Sequence, residues 1–250
     1  MLLSVNILTW NTWKTLHQTL HVLAQELKEI DHEVIIVDNG STDGCNDVAT
    51  IKNPKNLGIS KGKNQGIEAS KGEYIFLLDG DIVPVPNSIR MLLNYLETHP
   101  EVKALGFYPN KFATCKNKGE QNDRNHEEYH EWNCHTLFDV KEYRGHCVYY
   151  GMYHRSVFDD VMFDEGYDEC CTVGEFIGGY GWEDLDTYKQ MEIAGIKQYI
   201  SHINHAGGKY YHAINSSIRN MGHSQYMTSS MKRSQYFKQK WTKEPVAIAG

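Results

Sequence analysis

The chain has 250 residues, enough for one large α/β domain or two small ones, and its 40% hydrophobic content allows a full core. A formal net charge of -7 argues against a protein that coats nucleic acid by neutralising phosphates. No apolar stretch approaches the roughly 20 residues that span a bilayer, and residues 1–5 run into a strand without a basic start or cleavage site, so a soluble cytoplasmic protein, at most peripheral to a membrane, is expected.

Residues 2–8 read as a first strand. Asn11 or Thr12 then caps a helix carrying Leu16, Leu20, Leu23 and Leu27 at helical spacing. Residues 33–37 read as a strand, 60–70 as a helix and 74–78 as a strand, and Asn87 caps a helix with Ile89, Leu92, Leu93 and Leu96 on one face. Strands alternating with helices at this spacing predict an α/β fold, a mostly parallel sheet with right-handed crossovers flanked by helices. After a short apolar run at 104–107, residues 111–146 are crowded with polar residues and show no sustained period, which predicts a long functional loop or lid. A strand at 148–153, a glycine-rich stretch at 174–181, a helix at 183–194 closed by Gly195 and a strand at 197–203 follow. Without a repeat or linker, 1–250 reads as one domain, with a nucleotide-binding half at 1–107, a second half at 108–213 and a closing helix and tail at 214–250.

The six cysteines, Cys45, Cys115, Cys134, Cys147, Cys170 and Cys171, lack regular spacing and read as free thiols. Near the end, Arg219, Lys232, Arg233, Lys238, Lys240 and Lys243 face only Glu244 and interleave with aromatics. An amphipathic closing helix with solvated lysines explains them better than a patch for an anionic partner.

The chemistry concentrates at strand ends. The apolar run from Tyr74 to Leu78 leads straight into Asp79-Gly80-Asp81, and open α/β sheets place ligands beyond the carboxyl ends of their strands. Gly80 lets backbone approach a ligand, while Asp79 and Asp81 offer hard oxygens to a divalent cation. Strand two ends in Asp38-Asn39-Gly40-Ser41-Thr42-Asp43-Gly44, where Asp38 is placed to accept from a nucleobase N–H and a polar turn follows with amides toward the ligand. Its spacing lacks the alternating ligands and closing Glu of an EF-hand. The segment from Asn56 to Gly66 puts glycines, amides, Lys61 and Lys63 where a helix begins, a setting that favours phosphate, although it is not a P-loop. Glu183 and Asp184 open a helix beside Trp182, whose ring suits stacking on a sugar; acids at a helix start also favour its dipole. Cys115, His126, His130, Cys134, His135, His146 and Cys147 fit no zinc module, and Glu127, Tyr129, Glu131 and Trp132 are better read as polar and stacking contacts of a pocket.

Taken together, Val37-Asp38-Asn39-Gly40-Ser41-Thr42-Asp43-Gly44, Asn56-Leu57-Gly58 with Gly62-Lys63-Asn64-Gln65-Gly66, the run into Asp79-Gly80-Asp81 and Gly181-Trp182-Glu183-Asp184 resemble the GT-A fold glycosyltransferases of the large family 2. The resemblance implies a Rossmann-like GT-A domain that transfers sugar from a nucleoside diphosphate sugar, UDP- or GDP-linked, to a hydroxyl acceptor. It assigns Asp81 and Asp79 to Mn²⁺ or Mg²⁺ and the sugar nucleotide, and Asp38 to the base. Asn39, Asn64, Gly80 and Lys61 or Lys63 would lie along the nucleotide. Asp184 becomes general base, Glu183 an acceptor ligand or substitute base, and His205 or His212 completes the metal shell. Tyr236-Phe237-Lys238-Gln239-Lys240-Trp241 resembles the family's closing-helix anchor. A glycan or glycoconjugate acceptor is expected, with nucleic acid disfavoured by net charge. A retaining transferase on the same fold is the nearest alternative. A nucleotidyltransferase would carry a Gly-rich basic loop where Thr9-Trp10-Asn11-Thr12-Trp13 stands, and a non-catalytic binding module would not need both acidic pairs.

Overall fold

The computed structural model describes residues 1–84, 87–108, 128–131, 138–143, 150–170, 182–202, 209–212 and 223–243. The first half is built on β1 (Leu3–Thr9), β2 (His32–Asp38), β3 (Ile51–Lys52) and β4 (Tyr74–Asp79), which pair in parallel in the order β3-β2-β1-β4. A strand covered on both faces needs an uninterrupted apolar run, and β4 has one: Ile75, Phe76, Leu77 and Leu78 are buried. Each such side chain gains roughly 1.5–3 kcal/mol by leaving water. The register sets Thr9 beside Asp38 and Leu8 beside Asp79, so β2, β1 and β4 end at one level with the two aspartates flanking β1.

The eight-stranded sheet continues through β9 (Tyr150–His154), β6 (Ala104–Tyr108), β10 (Gln198–His202) and β8 (Phe138–Glu142). Here the mostly parallel expectation is modified. β9 runs antiparallel to both β4 and β6, and β8 antiparallel to β10, which leaves a mixed sheet. A second sheet joins β5 (Ile82–Val83), β11 (Lys209–His212) and β7 (Glu128–Glu131) in antiparallel fashion. The segment read as a loop at 111–146 therefore supplies β7 and β8; its remainder lies outside the described residues, as do six of the seven zinc candidates, the glycine-rich stretch and His205.

Helices α1 (Trp13–Glu26), α2 (Cys45–Val48), α3 (Ile59–Ala69), α4 (Ser88–Thr98), α5 (Gly166–Cys170), α6 (Trp182–Ile193) and α7 (His223–Lys243) complete the order. Capping differs from expectation at α1 and α4, where neither Thr12 nor Asn87 makes a side-chain cap. The first amide of α1, at Trp13, donates instead to Asp43 Oδ2 at 2.8 Å, and Asn87 donates its own backbone N–H to Glu26 at 2.6 Å. Gly195 closes α6 with φ 69°, as expected. Cys45 is a buried free thiol. No helix among the described residues is long and apolar enough to cross a membrane.

Candidate active site

At the end of β2, Asp38 is 1% exposed and both its oxygens accept from the Ser41 N–H, at 3.2 and 3.1 Å. The next turn is tied to the β1–α1 loop: Asn11 N donates to Ser41 Oγ and Thr42 N to Asn11 Oδ1, each at 2.8 Å. The Ser41 and Thr42 amides that the sequence placed toward a ligand thus bond within the protein. Asn39 is a brace. Its Nδ2 donates to Asn56 Oδ1 and Gly58 O, both at 2.9 Å, and its Oδ1 accepts from Leu57 N at 3.0 Å.

At the start of α3, where the sequence favours phosphate, two backbone amides already have a protein partner. Gly58 precedes the helix with φ +103°, and the amides of Ser60 and Lys61 donate to the Asp168 carboxylate of α5, at 3.3 and 2.8 Å. A side-chain anion thereby fills the place where a helix N-terminus would attract phosphate. Burial raises the Asp168 pKa to about 6 against the lowering by those amides. A Cβ on Gly58 would meet Asp168 Cγ at 2.1 Å. Gly58→Ala, combining this clash with an unfavourable positive φ, is therefore expected to lose about 2–4 kcal/mol of unfolding free energy in urea titration; an unchanged midpoint would refute the packing described.

Lys61 and Asn64 are both engaged within the protein. Lys61 pairs with Glu165 at 3.1 Å on the surface, while Asn64 is clamped to the Phe163 backbone, donating to its carbonyl at 2.8 Å and accepting from its N–H at 3.0 Å. Lys63 is the lysine that points inward. It is 7% exposed, and its Nζ lies 3.4 Å from Asp79 Oδ1, 4.0 Å from Asp184 Oδ1 and 5.2 Å from the centre of the Phe163 ring. Burial acts against its charge, but Asp79, Asp184 and Glu183 together outweigh burial and hold its pKa well above the ordinary lysine range.

Gly80 follows from close packing as well as from ligand access: a Cβ there would stand 2.9 Å from Leu8 O, Thr12 Oγ1 and Thr9 Cβ. Asp81 is buried at 7% exposure, whereas the Asp79 side chain keeps 29%. In the second sheet His212 pairs with Ile82, the residue after Asp81. Among the described residues no three His, Cys, Asp or Glu converge to hold a metal.

At the start of α6, Glu183 is 2% exposed and pairs with Arg233 Nη1 of α7 at 2.5 Å, with Arg233 itself fully buried. Glu183 is thus a buried ion-pair partner where the sequence reading had an acceptor ligand or substitute base. Asp184 Oδ1 is buried without a hydrogen-bond partner. Burial first, then the Glu183 charge, push the Asp184 pKa up to about 7 against the pull of Lys63. The Trp182 ring lies 5.4 Å from Phe237 of α7, tilted by 51°, so the closing helix covers part of the surface read as a sugar platform. Further along, buried Asp186 accepts from Trp241 Nε1 at 2.8 Å and Lys240 at 3.0 Å, and Lys240 also reaches Asp164 at 2.8 Å.

Sequence reasoning missed Arg233 and Asp168, whereas the closing-helix anchor read at Tyr236 to Trp241 is present, with Tyr236, Lys240 and Trp241 bonded to Asp164 and Asp186. Arg233 stood in a run of lysines and read as solvated; its signal is the i, i+4 spacing of Ser229, Arg233 and Phe237, with Lys240 and Trp241 a turn beyond.

The arrangement is an α/β sheet with acidic groups converging past its strand ends, and the same fold is found in solved structures. The Staphylococcus aureus TarS 1-349 complex with UDP-GlcNAc superposes with TM-score 0.55 over 84% of this chain and 58% of that one, at 16% identity. The UDP complex of TarS 1-349 gives 0.57 over 97% and 72%, at 14% identity. Residues 4–162 match the model of "Glycosyl transferase family 2", and the chain belongs to that family. Relatives include poly(ribitol-phosphate) beta-N-acetylglucosaminyltransferase TarP of S. aureus, 32% identical over 42% of this chain and 36% of its own length. The glycosyltransferase GlyG of Streptococcus pneumoniae is 32% identical over 44% and 40%. These alignments span about two fifths of the relatives' lengths.

Proposed function

We propose that this chain transfers a sugar from a nucleoside diphosphate sugar, UDP- or GDP-linked, to the hydroxyl of a glycan or glycoconjugate, inverting the anomeric carbon with Asp184 as general base. The observation that carries the reading is Lys63, whose ammonium lies between Asp79 at the end of β4 and Asp184 at the start of α6. It brings the donor-side carboxylate and the base within one charged cluster. The family match ends at residue 162, so the role of Asp184 rests on this geometry and on its burial.

In the reaction Asp184 takes the proton of the acceptor hydroxyl while that oxygen bonds to the anomeric carbon. The bond from that carbon to the diphosphate oxygen breaks, and the nucleoside diphosphate leaves with the electron pair. A base with a pKa near the working pH is both ionised enough and strong enough for the transfer. Lys63 holds Asp79 and Asp184 in place and adds a fixed positive charge near the departing group.

Asp79 and Asp81 form a hard-oxygen pair two residues apart, with Asp79 partly open, a donor set that suits Mn²⁺ or Mg²⁺. Such an ion, held by Asp79, Asp81 and either His205 or His212, would stabilise the charge of the leaving diphosphate. The register of His212 with Ile82 supports it over His205. Donor chemistry in TarS, seen with UDP and UDP-GlcNAc, supports a uridine nucleotide, and the polymer acceptor in the name of TarP supports a glycan acceptor.

A panel of UDP, GDP and dTDP sugars with Mn²⁺ tests the reading. At least one should raise the melting temperature, with stabilisation of about 2.7 kcal/mol at a hundredfold excess over Kd, and release nucleoside diphosphate. If none does either, the donor assignment is wrong.

A further inference from the structure

Among the described residues, three polar atoms on the inner face of α7 are buried with no hydrogen-bond partner: Arg233 Nε, Arg233 Nη2 and Ser229 Oγ. Both residues are 0% exposed. They lie one turn apart on the helix, so their side chains share a face. An unsatisfied buried donor costs about 1–3 kcal/mol, and more when it carries charge, so such atoms call for a partner that arrives with a ligand. Glu183 occupies only Nη1 of Arg233. The other edge of the guanidinium presents Nε and Nη2 as two parallel donors. Across the pair, the next residue, Asp184, has its own buried oxygen without a partner.

The chemistry of the partner follows from the charges. Among the described residues, Glu183, Asp184, Asp168 and Asp79 stand around two buried cations, Lys63 and Arg233, and the Arg233 charge is felt at both Asp184 and Asp168. A further anion would add to an excess of negative charge. A cation would meet the guanidinium. A neutral hydroxyl does neither, because its oxygen accepts from an N–H while its proton goes to an acceptor.

We propose that the buried, unpaired edge of Arg233, together with Ser229 Oγ, binds uncharged hydroxyl oxygens of the acceptor beside the hydroxyl that Asp184 deprotonates, so the acceptor presents a neutral polyol or sugar face at this point. The inference rests on the transferase reading above and adds the acceptor class and the residues that select it.

The experiment compares two fates of one donor in the purified full chain. UDP-N-acetylglucosamine, UDP-glucose, UDP-galactose and GDP-mannose are each incubated with Mn²⁺, and hydrolysis by water is measured beside transfer to glycerol and methyl glycosides, with glycerol 3-phosphate as the anionic comparison. Neutral acceptors should be used in preference to glycerol 3-phosphate. Arg233→Lys, which keeps a cation for Glu183 but removes the two-donor edge, should lower the ratio of transfer to hydrolysis by about tenfold or more. Ser229→Ala, a gentler change that does not disturb the ion pair, should lower it about threefold. Equal falls in transfer and hydrolysis, an unchanged ratio in both variants, preference for the anionic acceptor, or hydrolysis without transfer to any neutral acceptor would each overturn the proposal. Absence of hydrolysis with every sugar nucleotide fails differently, since it removes the donor reading first.

Discussion

Asp184→Asn is expected to lower transfer by at least about a thousandfold while the chain stays folded, because the amide keeps the shape of the carboxylate and cannot take a proton. The wild-type rate should rise with pH through about 7, the pKa to which burial and the adjacent Glu183 charge push Asp184. The same shift has a stability consequence of definite sign. A carboxyl that ionises near 4 when unfolded and near 7 when folded favours the native state below pH 4, and that advantage is lost as pH rises from 4 to 7. Above pH 7 the buried carboxylate is a net burden, on the order of 2–4 kcal/mol. Asp184→Asn should therefore match or exceed wild-type stability in urea at pH 8 and lose that advantage at pH 4. Normal turnover by this variant would remove Asp184 from the mechanism.

That pairing of lost activity with retained stability bears on how much of the site was legible in the sequence. The run from Tyr74 to Leu78 ending in Asp79-Gly80-Asp81 was readable because a strand buried on both faces leaves a local apolar signature, and the acids at its end break it. The antiparallel insertion of β9 was not readable. Its strand character is local, but its position between β4 and β6 is set by long-range pairing that no residue within it encodes. Lys61 and Lys63 stand two apart on α3, so only one can face inward, and the buried Gly66 and Ile67, three and four residues beyond Lys63, identify it. Arg233 escaped because patterning assumes that buried faces are apolar, whereas α7 turns Ser229 and Arg233 inward and satisfies part of the charge through Glu183.

The largest stability effect is expected at Lys63. Its ammonium is buried among carboxylates of β4 and α6, and breaking a buried ion pair by removing one partner typically costs 3–5 kcal/mol, because the other charge is left uncompensated. Lys63→Met should lose about that much in urea titration near neutral pH, where Lys63 is fully charged given its raised pKa. Lys61→Met removes a pair whose side chains are 46% and 42% exposed and should stay within about 0.5 kcal/mol of wild type. Two lysines in one helix turn thus differ through burial and through the carboxylates around them. The variant also separates tuning from packing. Without the Lys63 charge Asp184 faces Glu183 and Asp79 with less compensation, so its pKa should climb further and the rise of rate with pH should move upward by about one unit or more. A Lys63→Met protein as stable as wild type, or one whose remaining activity keeps the same pH midpoint, would show that Lys63 neither balances these carboxylates nor sets the strength of the base between the two halves of the site.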